Sequence, residues 1–261
     1  MNDFGTIYNP EGSTLRMIQL RMLDILKCVD AICRKYDIKY WLSSGTLLGA
    51  VRHGGFIPWD DDLDIEMLRG DYLKLLRILP SELPQQYVLQ SYKNDFNYIY
   101  LFCKVRDLNS EIVERCGVNR GLKYNGVFID LFPLEPSFDI LAKFSAVLFD
   151  RCCFNLASTN KKVLNKLCKL NLFILLNSVF PFFRVISRFS NSEKIGHTFG
   201  VNFLKKRSLD DIFPLKQIMF EGHLFYAPCN YDSYLKKLYG DYMKIPDSKD
   251  VHVMDGRIKI W

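Results

Sequence analysis

The chain is 261 residues long, 49% hydrophobic and 25% charged, with 35 Lys plus Arg against 29 Asp plus Glu and a formal charge of +6. That balance excludes a disordered or fibrous protein, and the length suits one large domain or a core carrying an insertion. The cationic surplus suits phosphate-bearing ligands or an anionic surface but is too diffuse to indicate nucleic-acid binding.

Ser13 stands where it caps a helix in which Leu15, Ile18, Met22, Ile25, Leu26, Val29, Ile32, Cys33 and Tyr36 recur at helical spacing, ending near Asp37. Residues 38–43 suit a strand, and Ser44-Gly45-Thr46 opens a second helix that Gly54-Gly55 breaks. After Pro58, residues 60–66 alternate carboxylates with Asp61, Leu63 and Ile65 at a strand's period of two. A helix is expected over 71–79, then strands over 87–91, 98–106, 111–115 and 126–132.

From residue 138 the composition turns basic and apolar, and acidic residues nearly vanish after Asp150, which predicts a helical insertion over 138–206. Its most apolar run, 170–183, is shorter than the ~20 residues of a membrane span and carries Asn171, Asn177 and Pro181, so no spanning helix is expected. A strand over 217–225 and a helix over 231–239 form a C-terminal segment, 207–261, expected to pack back on a core of 1–137. The class is α/β, a mixed sheet flanked by helices. The N-terminus lacks the basic-then-apolar pattern of a signal peptide, which predicts a cytoplasmic protein. None of the eight cysteines has Cys-x-x-Cys spacing, so they read as buried small hydrophobes rather than zinc or redox groups.

The chemistry concentrates in Trp41-Leu-Ser-Ser-Gly-Thr-Leu-Leu-Gly-Ala-Val-Arg-His-Gly-Gly-Phe-Ile-Pro-Trp-Asp-Asp-Asp-Leu-Asp-Ile65. On a strand, Asp60, Asp62 and Asp64 would share one face at intervals of ~6.5–7 Å. Three like charges so arranged call for a divalent cation, and oxygen ligands favour Mg²⁺ or Mn²⁺. Taken alone the run reads equally as a solvated acidic turn. An EF-hand loop is rejected, because Ile65 and Asp71 stand where it needs Gly and Glu. The Ser44 to Thr46 turn can hold a phosphate on free N–H groups at a helix start, although alone it is an ordinary cap. Asp130 lies between Ile129 and Leu131 in an apolar strand, where an acid is costly to bury without a cation or hydrogen bond.

A Gly-Thr turn shortly before an acidic pair resembles the nucleotidyltransferase type of phosphoryl-transfer site, which takes a third carboxylate from a later strand; Asp130 is the match. Together with Lys104-Val-Arg-Asp107, Phe128-Ile-Asp-Leu-Phe-Pro133 and Tyr239-Gly-Asp-Tyr-Met243, the chain resembles the LicD family, relatives of fukutin and fukutin-related protein. The resemblance implies a nucleotidyltransferase-like mixed sheet. It also implies transfer of a phosphocholine-like, phosphoethanolamine or phosphonate group from a CDP-alcohol or CMP-phosphonate donor. The acceptor would be a hydroxyl of a cell-surface glycan or its lipid-linked precursor, and CMP would leave. Carried onto this sequence, Asp62, Asp64 and Asp130 match the metal ligands, and Asp130 and Asp60 the catalytic acids. Ser44, Gly45, Thr46, Arg52, Lys104 and Arg106 match the phosphate-binding groups, with His53, Trp59 and Asp61 behind them. The zinc ligands of some relatives are not found, so zinc is not expected.

Two rival readings stand beside this one: nucleotidyl transfer from an NTP with release of pyrophosphate, and an inactive glycan- or nucleotide-binding module. In the insertion, Lys161, Lys162, Lys166, Lys169, Arg184 and Arg188 flank the apolar run. That pattern suits peripheral membrane contact through 161–188, and equally a helical pair that covers the core.

Overall fold

The computed structural model describes residues 9–113, 121–154, 162–190, 193–245 and 257–260. The first helix, α1 (Thr14–Lys35), starts where the Ser13 side chain accepts a hydrogen bond from the Arg16 N–H at 3.1 Å, and it buries Ile18, Met22, Ile25, Leu26, Val29 and Cys33. The chain continues through β1 (Trp41–Leu42), α2 (Ser44–His53), β2 (Asp64–Leu68), α3 (Arg69–Glu82), β3 (Tyr87–Gln90), β4 (Cys103–Asp107), β5 (Ser110–Val113) and β6 (Phe128–Pro136). Then come α4 (Asp139–Phe149), α5 (Lys162–Ile174), α6 (Phe180–Ser187), β7 (Lys194–His197), β8 (Arg207–Ser208), α7 (Leu209–Ile212), β9 (Lys216–Phe220), β10 (His223–Ala227), α8 (Tyr231–Tyr239) and β11 (Arg257–Ile260).

A seven-stranded sheet in the order β1-β2-β6-β4-β3, extended from β6 by β7 and then β8, forms the centre. Among the described residues of this sheet only β2 and β6 pair in parallel; the other pairs are antiparallel. Side-chain alternation divides the sheet into two unlike faces. Leu42, Ile65, Met67, Cys103, Val105, Ile129 and Leu131 are buried on one face, against α1 and α3. The registers Asp64↔Asp130, Lys104↔Asp130, Arg106↔Phe128 and Trp41↔Glu66 put the polar residues together on the other. An α/β fold with one apolar and one chemically armed face results.

Several expected elements are shorter or different. The strand expected over 60–66 begins only at Asp64, so the shared strand face foreseen for Asp60, Asp62 and Asp64 does not exist. Pro58 removes a ladder donor, and the irregular segment is held by Gln19, whose amide donates to the carbonyls of Ile57 (3.3 Å) and Asp60 (2.8 Å). The strand expected over 98–106 begins at Cys103, because Asp95 organises the preceding loop through Gln90 (2.6 Å) and the N–H groups of Asn97 and Lys123. The strand of 38–43 shrinks to Trp41–Leu42. That of 217–225 is a hairpin, β9–β10, turning at Glu221-Gly222 with φ of 50° and 76°, a pair of left-handed residues suited to a tight turn. Of the strand expected over 111–115, the last two residues lie outside the described ones.

Of the segment expected as a helical insertion, residues 139–154 and 162–187 are helical, after which β7 returns to the sheet beside the end of β6. Its helices and the loop before β4 enclose a second core of Ile99, Phe149, Cys153, Cys168, Leu172, Leu175, Phe180, Phe183 and Phe199. The expectation that Asn171, Asn177 and Pro181 cut the apolar run short is corrected. Helical turns run unbroken from α5 through a π turn at Leu175–Val179 into α6, and Lys166–Ser187, 22 residues, is long and apolar enough to cross a membrane. Asn171 and Asn177 donate to the carbonyls of Cys152 and Phe173, each at 2.8 Å, so neither disturbs the helix. Pro181 falls directly after the π turn, where the helical hydrogen-bond pattern changes register.

Candidate active site

The sequence ties the start of β2 to the start of α2. Thr46 Oγ1 accepts from the Asp64 N–H at 2.8 Å, Ser43 N–H donates to the Asp64 carbonyl at 3.2 Å, and Asp130 N–H donates to the Leu63 carbonyl at 2.8 Å. Asp64 and Asp130 therefore lie side by side on neighbouring parallel strands, level with the head of α2. Ser44 opens that helix at φ 47°, a left-handed conformation that aims successive N–H groups to one side as in anion-binding nests. At Gly45 a Cβ would stand 2.6 Å from Asp60 Oδ2, so glycine is what lets the Asp60 carboxylate press against the helix start. A Cβ at Gly49 would lie 2.4 Å from the Gly55 carbonyl, so a second glycine lets the returning loop lie along α2.

Oxygens of Asp60, Asp61 and Asp62 come within 4.8 Å of one another beside this pair. Burial and then the charges of Asp62 and Asp61 push the Asp60 carboxyl up to about 7. Burial, then Asp130, Asp62 and Asp60, hold the Asp64 carboxyl well above its ordinary range. Burial also raises Asp130, against the ammonium of Lys104, which sits 2.7 Å from Asp130 Oδ1 and 3.3 Å above the Phe128 ring. Crowded carboxylates that resist ionisation, with only oxygen donors, form a set that suits a hard divalent cation.

The other residues read from the sequence divide. Thr46 is buried, and its oxygen anchors Asp64 while its hydroxyl proton stays available to donate. Arg106 is on the Lys104 face but one step along, its guanidinium held by Gln90 and by the Gly126 carbonyl at 2.6 Å, so it acts in the scaffold. Arg52 and His53 end α2, about 12 Å along the helix from Ser44. There Arg52 donates to His53 Nε2 (2.9 Å) and to the Tyr242 and Lys244 carbonyls (3.1 and 3.4 Å), fastening the C-terminal segment. Trp59 is buried edge-on to His53 at 6.3 Å. Burial and the Arg52 cation push the His53 imidazole down to about 4.

Sequence reasoning missed two groups. Glu66, fully buried two residues after Asp64, receives Arg207, Trp41 Nε1 (3.2 Å), Tyr234 OH (2.6 Å) and His197 Nε2 (3.3 Å). The strand alternation that marks Asp64 also reaches Glu66, but nothing local announces Arg207. Tyr239, the first residue of the Tyr-Gly-Asp-Tyr-Met segment, brings its phenol to the Ser44 hydroxyl, and burial together with the charge of Asp64 pushes it up to about 12. Beside Lys104 an aromatic row runs Tyr98, Tyr100, Phe102, Phe132, His197, Phe203, with neighbouring centroids 4.4 to 5.4 Å apart.

A mixed sheet with a Gly-Thr turn at a helix start and acids on two adjacent parallel strands defines a nucleotidyltransferase-type domain. The chain belongs to the LicD/FKTN/FKRP nucleotidyltransferase domain family, which matches residues 37–171. It is similar to the lipopolysaccharide cholinephosphotransferase LicD of Haemophilus influenzae, 29% identical over 94% of this chain and 98% of that protein. An uncharacterized protein of Rickettsia prowazekii is 38% identical over 46% of this chain and 43% of its own length. The mouse ribitol 5-phosphate transferase FKRP is 39% identical over 27% of this chain and 15% of that protein.

Proposed function

We propose that the chain is a metal-dependent transferase of phospho-alcohol groups. The group, of the phosphocholine, phosphoethanolamine or related phosphonate class, moves from a CDP- or CMP-linked donor to a hydroxyl of a cell-surface glycan or its lipid-linked precursor. The observation that carries this reading is the side-by-side pair Asp64 and Asp130 at the head of α2, with Lys104 against the second acid. The names of the relatives, a cholinephosphotransferase and a ribitol 5-phosphate transferase, support the class of group moved.

Asp62, Asp64 and Asp130 would hold Mg²⁺ or Mn²⁺, which supplies Lewis-acid neutralisation of the donor's phosphate charge. The chain's own residues do the remaining work, mostly positioning. N–H groups of the Ser44 to Thr46 turn and the Lys104 ammonium bind phosphate oxygens. The aromatic row from Tyr100 to Phe203 receives the alcohol head group or the acceptor sugar on its ring faces. The acceptor oxygen attacks the phosphorus bearing the alcohol as the bond from that phosphorus to the CMP oxygen breaks. The hydroxyl proton passes to Asp130 Oδ2, since Oδ1 is engaged by Lys104, and CMP leaves with the electron pair. A nucleotide-linked donor agrees with a cytoplasmic location.

The test is donor-dependent CMP release from CDP-choline, CDP-ethanolamine, CDP-ribitol and CMP-aminoethylphosphonate, with and without chelator. Release from one of them, abolished by chelation and by Asp64→Asn, is the expected result. Pyrophosphate from CTP instead would mean nucleotidyl transfer, and turnover of none of these compounds would leave a binding module.

A further inference from the structure

The helical insertion carries an apolar face that the protein does not cover. On α4, Ile140, Phe144 and Val147 follow at spacings of four and three and point outward, Ile140 being 76% exposed. On α5, Val163, Leu167, Leu170 and Ile174 form a second outward row, joined by Phe173 at 65%. On α6 and just beyond it the row continues with Phe182 (61%), Val185 and Phe189 (80%). The opposite side of the same helix, with Cys168, Leu172, Leu175, Phe180 and Phe183, is buried in the second core. The helix thus carries large apolar side chains on its exposed side as well as on its buried one, a pattern that in water calls for an apolar neighbour.

The π turn at Leu175–Val179 keeps the outward row intact. Ile174 and Phe182 are eight residues apart, nearly a quarter turn out of phase in an uninterrupted α-helix. A π turn takes up one extra residue, and the remaining seven make about two turns. Phe182 therefore comes back above Ile174. Phe144 of α4 reaches Phe183 of α6 at 6.1 Å, so the two helices pack against each other and present their outward rows on one part of the protein.

The charge around this surface identifies its neighbour. Lys143, Arg151, Lys166 and Arg188 are exposed along its edges, and residues 139–190 hold only Asp139 and Asp150 as acids. At the start of α4, next to Ile140, a cavity of about 250 Å³ is lined by Lys143, Lys194 and Lys206 with Asp139, Ala142 and Leu204. Apolar side chains rimmed by cations and by a lysine-lined notch match a sheet of anionic lipid, acyl chains below and phosphates above. We infer that the outer face of α4, α5 and α6 lies in the surface of an anionic membrane. Because the inner side of the α5–α6 helix is built into the second core, the helix lies along the interface and does not span it. Lys169 Nζ donates to the Tyr98 carbonyl at 3.5 Å, and the Tyr98 phenol feels the charge of Asp130, so the membrane seat and the carboxylates are joined through one loop.

The experiment is co-sedimentation of the whole chain with phosphatidylcholine vesicles, with and without phosphatidylglycerol. Two surface variants are compared, Phe173→Asp with Phe182→Asp and Lys166→Glu with Arg188→Glu, alongside thermal melting and light-scattering mass. The wild-type chain pellets with the anionic vesicles and is released by salt. Each variant, melting as the wild type, binds about tenfold more weakly or less. A chain that stays in the supernatant overturns the inference, as do variants that pellet like the wild type. So does a dimer that the phenylalanine variant splits while lipid binding is absent, since a second copy would then cover the face. CMP release by the same variants, whose altered residues lie outside the catalytic set, separates a failure here from a failure of the transferase reading.

Discussion

Gly45 shows how little latitude the site leaves to a single residue. With a Cβ 2.6 Å from Asp60 Oδ2, Gly45→Ala must push that carboxylate away while the helix, whose other contacts are untouched, stays folded. Donor-dependent CMP release should fall about 10²-fold, the loss that a displacement near 1 Å brings, with a melting temperature near that of the wild type. Asp130→Asn should cut the rate ~10²–10⁴-fold while calorimetry still detects the CDP-alcohol, because proton transfer matters most in the transition state. A fall in affinity at unchanged rate would remove the base role. At this scale the acids and the Gly-Thr turn were legible, since their residue types and spacing are chemically unusual. The partners were not: that Thr46 anchors Asp64, or that Tyr239 reaches Ser44, depends on where a distant segment returns.

Among the elements, β2 bears the greatest demand, because it presents Asp64 and, two residues on, buries Glu66. Burial opposes the Glu66 charge, and Arg207, with His197 and Tyr234, outweighs it and holds the carboxyl well below its usual range. Arg207→Met leaves that charge without its cation at the price of about 3–5 kcal/mol, read from urea unfolding. Adding Glu66→Gln should recover part of the loss. If the single variant were as stable as the wild type, the network would be incidental to the strand. Helices were the easier elements to read: the periods of α1 and α8 are strong and their caps, Ser13 and Asn230, are local. Strand starts were harder, because Asp60 to Asp62 alternate like a strand, yet the segment that enters them is held by Gln19, a residue of α1, through the Ile57 and Asp60 carbonyls. The α5–α6 helix was underestimated for the same reason, its asparagines being satisfied by carbonyls and its proline by a π turn.

For the molecule as a whole, acid sensitivity should carry the signature of His53. Its imidazole is pushed from 6.5 down to about 4 in the fold, so between those values the unfolded chain binds the extra proton. This contribution to stability is complete above about pH 6.5 and is lost as pH falls toward 4; since the ring is only half-buried, solvent screening keeps it to about 1 kcal/mol or less. Urea midpoints across that window should decline less steeply for His53→Gln than for the wild type, and parallel curves would contradict the assignment.

β6 presents Asp130 near its beginning. Near its end it presents Glu135, which is gripped by Arg184 of α6 (2.6 and 3.1 Å), by Thr198 Oγ1 and by the Phe199 N–H (3.2 Å). One unbroken strand therefore belongs to the catalytic sheet and to the seat of the insertion at once. The two parts cannot be inherited separately. A swap of helical segments between relatives would have to carry Glu135, Arg184 and β7 with it as a single heritable cassette, or the recombinant would lose the strand on which its chemistry stands.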